Sequence, residues 1–564
     1  MNSSRKHIVQ FVVMLIILLL LNVISNYVYK RFDLTQDKRF TLSEAAKETI
    51  SNVESPLLID VFLKGNFPSE FTKLQSETRQ LLDEFKAYNS NVVYNFINPL
   101  EHEDYQATIQ GFDLVAAQVE VQENGKTTTE VLYPWALAYF NGKTVKIPLL
   151  KNQLGATSEE RVNGSIQNLE YAFADGFSKL TSPKNKKVAV LKGNGELEDK
   201  FVADFFMTLK DYYFIAPFTL DSAKGKPQRT LEQLNTFDLV IVAKPTKPFS
   251  DSEKYILDQY TMQGGSTLWL IDASQNRIDS ISAKTYALPM DLNLNDLLFK
   301  YGVRIKQNLI QDVYAAPIVL ATGNENDSQY NKYPWFFSPL SASASNHPIV
   351  SNLEAVKFDY ASAIDTLSNS IKKTILLSSS PISKHVGLPY EIDLDIEIPK
   401  GLKAVNEGPN LAEFNAGETP LAILLEGNFS SGFKNRVKPF DLTDGLNHAD
   451  EGTLANMIVV SDGDLIKNQF DRGRPLELGF DKMTQARYGN KEFLLNAVNY
   501  LLDDRGLINI RTKEITVPFL DAQKTADERS KWQAINLLLP LGLLLIFGFI
   551  FAYLRRKAYA KVST

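Results

Sequence analysis

The chain of 564 residues contains no cysteine, and this absence removes several chemistries at once. Disulfide bonds, thiol nucleophiles, thiolate zinc sites and CxxC redox motifs all require cysteine. Histidine is scarce, with five residues, and no HExxH zinc motif occurs. The phosphate-binding pattern GxxxxGK[ST] and the GxSxG turn of serine hydrolases are also missing. We therefore expect a protein that is not an enzyme and that carries no cofactor.

The chain also lacks an excess of positive charge. Its formal net charge is −6 and its pI is about 5.7, which argues against a nucleic-acid partner. The apolar fraction of 44% and the charged fraction of 22% are ordinary for globular proteins. The length leaves room for about three or four domains.

Two apolar segments lie at the extreme ends of the chain. The first begins at Ile8 and ends at Ile24, and the second begins at Ile535 and ends at Leu554. At about 1.5 Å per residue the second spans about 30 Å, the thickness of a hydrocarbon core. A cleaved signal peptide is the alternative for the first segment, but residues 22–32 contain no A-x-A-like cleavage site. We expect two transmembrane helices in contact with membrane lipid.

Basic residues flank both apolar segments on the side of the chain termini. They are Arg5, Lys6, Arg555, Arg556, Lys557 and Lys561. Because positive charge stays on the cytoplasmic side, both termini are expected inside and the body outside. The membrane parts are then an anchor at 1–30, a helix at 535–554 and a cytoplasmic basic tail at 555–564.

The body is predicted to be an α/β protein with two domains. Residues 31–180 show a strand, a helix, a second strand and then hairpin signals at Asn124-Gly125 and Asn141-Gly142. This order predicts a thioredoxin-like α/β domain without its CxxC, and therefore a binding or packing module. Residues 181–510 alternate strands and helices in a way that predicts a Rossmann-like parallel sheet.

The second domain has two further features. Ser250 and Glu253 have the spacing of a capping box, which predicts a helix start between two strands. A long insertion at about 275–450 carries strand-like runs at 374–378 and 421–426, and its topology does not follow from the pattern. Residues 511–534 are polar and predict a connector back to the membrane.

The candidate ligand site lies where strands of the parallel sheet end, since ligands bind in the crevice beyond the carboxyl ends of such strands. The candidate residues are Gly193, Asn194, Gly195, Glu196, Asp272 and Asp462. Free backbone N–H groups in the glycine turn are expected to suit an anion. The alternative is a tight strand-to-helix turn that needs small residues. No metal site is predicted, because the acidic stretch at 441–451 lacks EF-hand spacing.

Several segments in order resemble a known family. They read RFDLTQDKRFTLSEAAKETI, VAVLKGNGE, FDLVIVAKPTKPFSDSEKYILDQYTMQGGSTLWLID, LAILLEGNFSSGF and GNKEFLLNAVNYLLDD. Together they resemble the gliding-motility-associated ABC transporter auxiliary proteins of Bacteroidetes, which are described as substrate-binding-like. The resemblance covers nearly the whole chain. It implies a central domain similar to one in an intraflagellar transport protein and an amidotransferase-like fold.

The resemblance also implies a role and partners. The role is that of a two-pass inner-membrane subunit with a large periplasmic body, required for gliding motility. The implied partners are an ABC permease and an ABC ATPase in separate chains, with an envelope or motility partner outside. Related sequences read GHGE at the glycine turn, whereas position 194 here is Asn, so no imidazole chemistry is carried over. Two alternatives stay open: an envelope scaffold without a small ligand, and an envelope hydrolase acting on glycan or peptide.

Overall fold

The structure, a computed structural model, divides the chain into two units, Met1–Glu514 and Ile515–Thr564. It describes residues 3–27, 33, 38–39, 41–65, 67–123, 126–151, 153–275, 284–322, 329–342, 345–443, 447–513, 524 and 527–559. The first unit contains a four-stranded sheet and a seven-stranded sheet, and the seven-stranded sheet carries the candidate site.

The first region of this unit is built around the four-stranded sheet. Its elements are α1 (Ser3–Tyr27), α2 (Glu44–Ser51), β1 (Leu57–Val61), α3 (Ser69–Tyr88), β2 (Val92–Phe96), α4 (Glu103–Gly111), β3 (Ala117–Glu123), β4 (Lys126–Leu132), β5 (Trp135–Phe140), β6 (Lys143–Pro148) and α5 (Ser158–Thr181). The strand order is β2-β1-β5-β6. Strands β1 and β2 are parallel, whereas β5 pairs antiparallel with both β1 and β6.

Both hairpins predicted in this region are present. Strands β3 and β4 pair antiparallel around Asn124 and Gly125, which lie outside the described residues. In the turn between β5 and β6, Asn141 and Gly142 both have positive φ angles, of 48° and 75°. A two-residue type I′ turn requires positive φ at both positions, and Asn-Gly adopts it with little strain.

The second region is a parallel sheet with helices on its two faces. Its first elements are β7 (Lys187–Lys192), α6 (Ala203–Leu209), β8 (Phe214–Thr219), α7 (Pro227–Leu234), β9 (Leu239–Ala243), α8 (Asp251–Met262) and β10 (Ser266–Leu270). The predicted capping box is confirmed, because Ser250 and Glu253 exchange side-chain and backbone hydrogen bonds at the start of α8. Every residue of β9 and β10 is buried, as expected for strands covered on both faces.

The chain then makes a long excursion before it returns to this sheet. The elements are β11 (Ser274–Gln275), β12 (Lys284–Pro289), α9 (Asn295–Tyr301), β13 (Val303–Ile305), β14 (Asn308–Asp312), β15 (Ile318–Thr322), β16 (Gln329–Tyr333), β17 (Leu340–Ser341), β18 (Val356–Lys357), β19 (Ile364–Thr366), β20 (Lys372–Ser378), β21 (Ser383–Gly387), β22 (Tyr390–Asp393), α10 (Leu394–Glu407), β23 (Pro420–Ser430) and β24 (Glu451–Val460). Strands β20 and β23, where strand-like runs were predicted, extend the large sheet.

The region closes with small hairpins and a helix. These are β25 (Phe470–Asp471), β26 (Arg474–Pro475), β27 (Phe480–Asp481), β28 (Ala486–Arg487) and α11 (Asn490–Leu502). The complete sheet has the order β20-β23-β24-β10-β9-β7-β8. Strands β24, β10, β9, β7 and β8 are mutually parallel, and β23 runs antiparallel between β24 and β20. The Rossmann-like prediction therefore holds as a mixed α/β fold with a parallel sheet.

The apolar helical stretches that the structure describes at the two ends of the chain differ in length. In the second unit, α12 (Arg529–Tyr559) contains a stretch, Arg529–Lys557, long and apolar enough to cross a membrane, and it includes Ile535 and Leu554. In α1 the apolar part among the described side chains is the shorter Phe11–Asn22. Ile8 and Ile24 lie within α1, but their side chains fall outside the described residues.

A buried ion cluster joins the two regions of the first unit. The Glu492 carboxylate, on α11, accepts a hydrogen bond from Lys151 Nζ at 2.9 Å and one from Arg511 Nη2 at 2.8 Å. Lys151 precedes α5, and Arg511 lies in the 3-10 turn Leu507–Thr512 with 2% of its side chain exposed. Removing one partner from such a cluster leaves an uncompensated buried charge. The cluster therefore holds three distant segments of the chain together.

Replacing Glu492 by Gln should destabilise the fold strongly. We expect the free energy of unfolding at pH 7 to fall by about 3 kcal/mol or more, because Lys151 and Arg511 would lose the carboxylate that compensates their buried charges. Burial alone would raise the pKa of Glu492, but the two cations outweigh it and hold the pKa below its ordinary value of 4.5. The stabilisation is therefore complete above pH 4.5 and is lost as the pH falls through the lowered pKa.

The measurement is urea unfolding of the full-length protein in detergent at pH 7 and at pH 4. A matched control is Glu413→Gln, because Glu413 is 54% exposed and pairs with Lys384 at the surface. Its effect should stay below about 1 kcal/mol. Equal losses for the two variants at pH 7 would contradict the structural role of the Glu492 cluster.

Candidate functional site

The predicted site residues lie in loops that leave one edge of the parallel sheet. Strands β7, β9, β10 and β24 all point the same way, so the loops after Lys192, Ala243, Leu270 and Val460 meet at the carboxyl edge. Along the sheet, the five parallel strands follow the order β8-β7-β9-β10-β24. The direction of winding reverses between β7 and β9. Such a switch point is where open α/β sheets bind ligands.

The glycine turn after β7 fills this switch point itself. Gly193 and Gly195 have φ angles of 120° and 76°, which L-residues with side chains rarely adopt. The carbonyl oxygen of Asn194 accepts hydrogen bonds from the N–H groups of Thr246 at 2.9 Å and Lys247 at 2.8 Å. A Cβ atom at position 195 would collide with the Thr246 hydroxyl. The two loops that flank the crevice are thus bonded to each other.

The expectation that free N–H groups in this turn suit an anion is wrong. The Asn194 N–H donates to Glu196 Oε2 at 2.8 Å, so a carboxylate of the chain already occupies it. The start of α8 is capped in the same way, since Glu253 Oε2 accepts from the N–H of Ser250 at 2.7 Å. Burial raises the pKa of Glu196 above 4.5 although it accepts backbone hydrogen bonds. An anionic ligand in this turn would therefore lie beside the carboxylates of Glu196 and Glu253 and be repelled by them.

Asp272 and Asp462 belong to a separate cluster around Lys244. Lys244 directly follows β9, and its Nζ lies 3.3 Å from Asp272 Oδ2 and in contact with Asp464. The N–H of Gly463 donates to Asp272 Oδ1 at 2.5 Å. Asp462 accepts hydrogen bonds from the N–H groups of Asp464 and Asp359, each at 2.7 Å. Loops after three neighbouring strands are therefore tied together by charge-assisted hydrogen bonds.

The electrostatics of this cluster are those of a buried ion group. Burial raises the pKa of Asp272 above 3.8, an effect that Lys244 partly offsets. Burial, reinforced by the neighbouring carboxylates, raises the pKa of Asp462 well above 3.8. Burial alone would lower the pKa of Lys244, but Asp272 and Asp464 outweigh it and raise the pKa. Lys244 is therefore the charged partner that the cluster depends on.

The sequence-based prediction grouped Glu196 with Asp272 and Asp462, and only part of this grouping holds. Among the described residues, no hydrogen bond or ion pair links Glu196 to either aspartate. The prediction missed Lys244, although its place directly after the all-buried strand LVIVA could have marked it. No group of three or more His, Asp or Glu side chains that could hold a metal ion occurs in the described part of the chain.

The serine-containing turn at residues 427–432 and His448, which a serine hydrolase would need to pair, are each engaged in other contacts. Ser431, which is fully buried, donates its hydroxyl hydrogen to Asp258 Oδ2 at 2.6 Å. His448 contacts the hydroxyl of Tyr255 through Nδ1 at 3.0 Å and Asp450 through Nε2 at 2.8 Å. The serine therefore bonds to a carboxylate instead of to an imidazole that could act as its base.

Two protein families and one known protein together match nearly the whole chain. Residues 185–497, more than half of the chain, match the family described as "ABC-type uncharacterized transport system". Residues 36–139 match a "Domain of unknown function (DUF7088)". An uncharacterized protein of Borreliella burgdorferi strain B31 is 22% identical over 557 residues, which cover 96% of this chain and 97% of that protein.

A solved structure also shows a weak similarity. The mmIFT52 N-terminal domain aligns with 56% of this chain and 98% of its own length, at 13% identity and a TM-score of 0.31. This similarity is too low to support a conclusion about the fold.

Replacing Lys244 by Met should leave Asp272 without its cation and Asp464 with only the more distant Lys467. We expect the free energy of unfolding at pH 8 to fall by about 3 kcal/mol. The loss should be smaller at pH 5. Burial already raises the pKa of Asp272, and the loss of Lys244 would raise it further. The Asp272 carboxylate of the folded variant therefore binds a proton at a higher pH than it does in the unfolded chain. Stability from a raised pKa is present at low pH and disappears as the pH rises.

Urea titrations of the full-length protein at pH 5 and pH 8 measure this difference. Lys247→Met is the matched control: it lies three residues further along the same loop, is exposed, and has no ion pair among the described residues. If Lys244→Met unfolds like Lys247→Met at both pH values, the cluster does not stabilise the edge of the sheet.

Proposed function

Because the chain belongs to the ABC-type uncharacterized transport system family, we propose that it is a membrane-anchored, extracytoplasmic auxiliary subunit of an ABC-type transporter complex. The observation that carries this proposal is the match over residues 185–497, which spans the parallel sheet and its helices. The apolar helix α12 supports attachment to a membrane.

The energy source and the pore are proposed to lie in other chains. The sequence contains no P-loop that could cradle ATP phosphates, so ATP hydrolysis falls to a separate ATPase subunit. With two apolar end segments at most, the chain is too poor in membrane helices to form a transport path by itself, which leaves that task to a permease subunit. The role of the described body is then recognition or mechanical coupling.

More specifically, we propose a two-pass protein of a bacterial inner membrane that serves gliding motility. The basic residues outside both apolar segments support cytoplasmic termini and a periplasmic body. The resemblance to gliding-motility-associated auxiliary proteins supports the process. The strand order β2-β1-β5-β6 supports a thioredoxin-like scaffold in the first region. Without cysteine, such a scaffold binds or packs and does not exchange disulfides.

Two other functions remain as alternatives. An envelope scaffold without a small ligand is supported by the hydrogen bonds that close the switch point. An envelope hydrolase is the weaker candidate, because Ser431 is fully buried and bonded to Asp258. The absence of enzyme activity stays a prediction.

The first test concerns the partner chains. Transmembrane helices associate through close packing of small residues, and α12 contains Gly542 and Gly548 beside Pro540. We expect that replacing residues 535–554 by a plain Leu/Ala helix keeps the protein in the membrane but lowers recovery of the permease on affinity purification. The matched control is the same Leu/Ala helix with Pro540, Gly542 and Gly548 retained, which should restore recovery.

If wild-type protein purified from native membranes brings down no ABC permease or ATPase chain, the proposed function fails. If the wild type, the plain Leu/Ala variant and the control variant all recover the permease equally, helix α12 serves only as a membrane anchor and the partner contact lies elsewhere.

The second test concerns topology. Reporter fusions after Leu34 and at Thr564 should read outside and inside respectively, because the flanking basic residues hold both termini in the cytoplasm. An external reading at Thr564 would exclude the two-anchor arrangement.

A further inference from the structure

A cavity of about 410 Å³ lies at the amino edge of the parallel sheet, opposite the carboxyl edge with Lys244 and the glycine turn. Its lining includes residues next to the starts of β7, β9 and β10, such as Lys186, Asp238 and Ser266. Its volume falls within the range of small-molecule sites. The sequence contains no motif that marks this edge, because the amino ends of parallel strands carry no sequence signature.

Three helices end at this cavity. The lining includes Asn235 after α7, Gln263 and Gly264 after α8, and Leu502 at the end of α11. The carboxyl end of a helix carries about half a negative charge from its unpaired carbonyl groups. The ends of α7, α8 and α11 therefore place negative potential on the same space.

The charged side chains leave the lining with a net negative charge, although the Asp503 carboxylate accepts three backbone hydrogen bonds from its own turn. The lining contains three acidic residues, Asp238, Asp503 and Asp504, and one basic residue, Lys186. Lys186 Nζ lies 3.0 Å from Asp504 and 3.6 Å from Asp238, and these carboxylates, led by Asp504, raise the pKa of Lys186. Acidic residues at helix carboxyl ends are unfavourable by themselves, whereas a cation there is stabilised.

We propose that this cavity is a binding site for a small organic cation that carries an ammonium or guanidinium group. The combined field of the helix ends and the surplus carboxylates selects positive charge, and the volume selects an organic molecule over a bare metal ion. The assignment goes beyond the transporter-associated role and does not rest on it. Cation binding by the purified chain tests the cavity, whereas recovery of partner chains tests the transporter-associated role. Either result can be negative while the other is positive.

The probe is N-acetylarginine amide, titrated by calorimetry into the full-length protein in detergent at low ionic strength. Its neutral counterpart, N-acetylcitrulline amide, has almost the same shape without the guanidinium charge. We expect saturable binding of the arginine compound and none of the citrulline compound over the same concentrations. Equal binding of both compounds, or no saturable binding of the cation up to about 10 mM, would overturn the proposal.

Two variants should move the affinity in opposite directions. Asp504→Asn removes one carboxylate, whose described ion partner is Lys186, and should weaken cation binding about fivefold. Lys186→Met removes the cation that competes for Asp238 and Asp504, and should strengthen binding by a similar factor.

The matched control is Asp471→Asn, which removes the same charge from an exposed strand of a small hairpin that does not line the cavity. It should leave the affinity unchanged. Thermal unfolding of each variant establishes that the fold is retained. If Asp504→Asn and Lys186→Met, both folded, bind the cation as the wild type does, the cation does not occupy this cavity.

Discussion

The burial of β9 and β10 on both faces organises the rest of the molecule. Every residue of these two strands is buried, so each face of the sheet must be covered by an apolar layer. One apolar cluster packs α6 and α11 against one set of strand side chains, and a second cluster packs α7 and α8 against the other. Along these two strands, charged side chains therefore lie in the segments directly before and after them, such as Asp238, Lys244 and Asp272.

The charged groups are arranged differently at the two edges of the sheet. At the carboxyl edge the carboxylates are engaged by groups of the chain itself, because Lys244 pairs with Asp272 and Asp464, and Glu253 caps α8. The hydrogen bonds from Thr246 and Lys247 to Asn194 also close the switch point, so a ligand there must first displace backbone contacts. At the amino edge the helix ends and the aspartates act in the same sense. The described cavity of about 410 Å³ lies at that edge, where carboxylates outnumber the one lysine of the lining.

Local patterns predicted the elements well, because each pattern reports a physical requirement of its own segment. The buried run LVIVA, the Ser250–Glu253 capping pair and the Asn141-Gly142 turn each specify a local conformation, and each is present. The site was predicted less well. Asp272 and Asp462 meet because β10 and β24 are neighbours in the sheet, whereas Glu196 folds back onto its own turn. Residue type and position after a strand do not distinguish these two outcomes.

What the sequence could not reveal depends on contacts between distant segments. Lys151 and Glu492 are 341 residues apart, and their pairing follows from how α5 and α11 pack, which no local period encodes. The amino-edge cavity depends on where α7, α8 and α11 stop relative to one another, a matter of one or two residues at each end. The ion cluster around Glu492 has the same origin. It bonds the first region to α11, whose last residue lines the cavity, so the cluster and the cavity both depend on where this one helix packs.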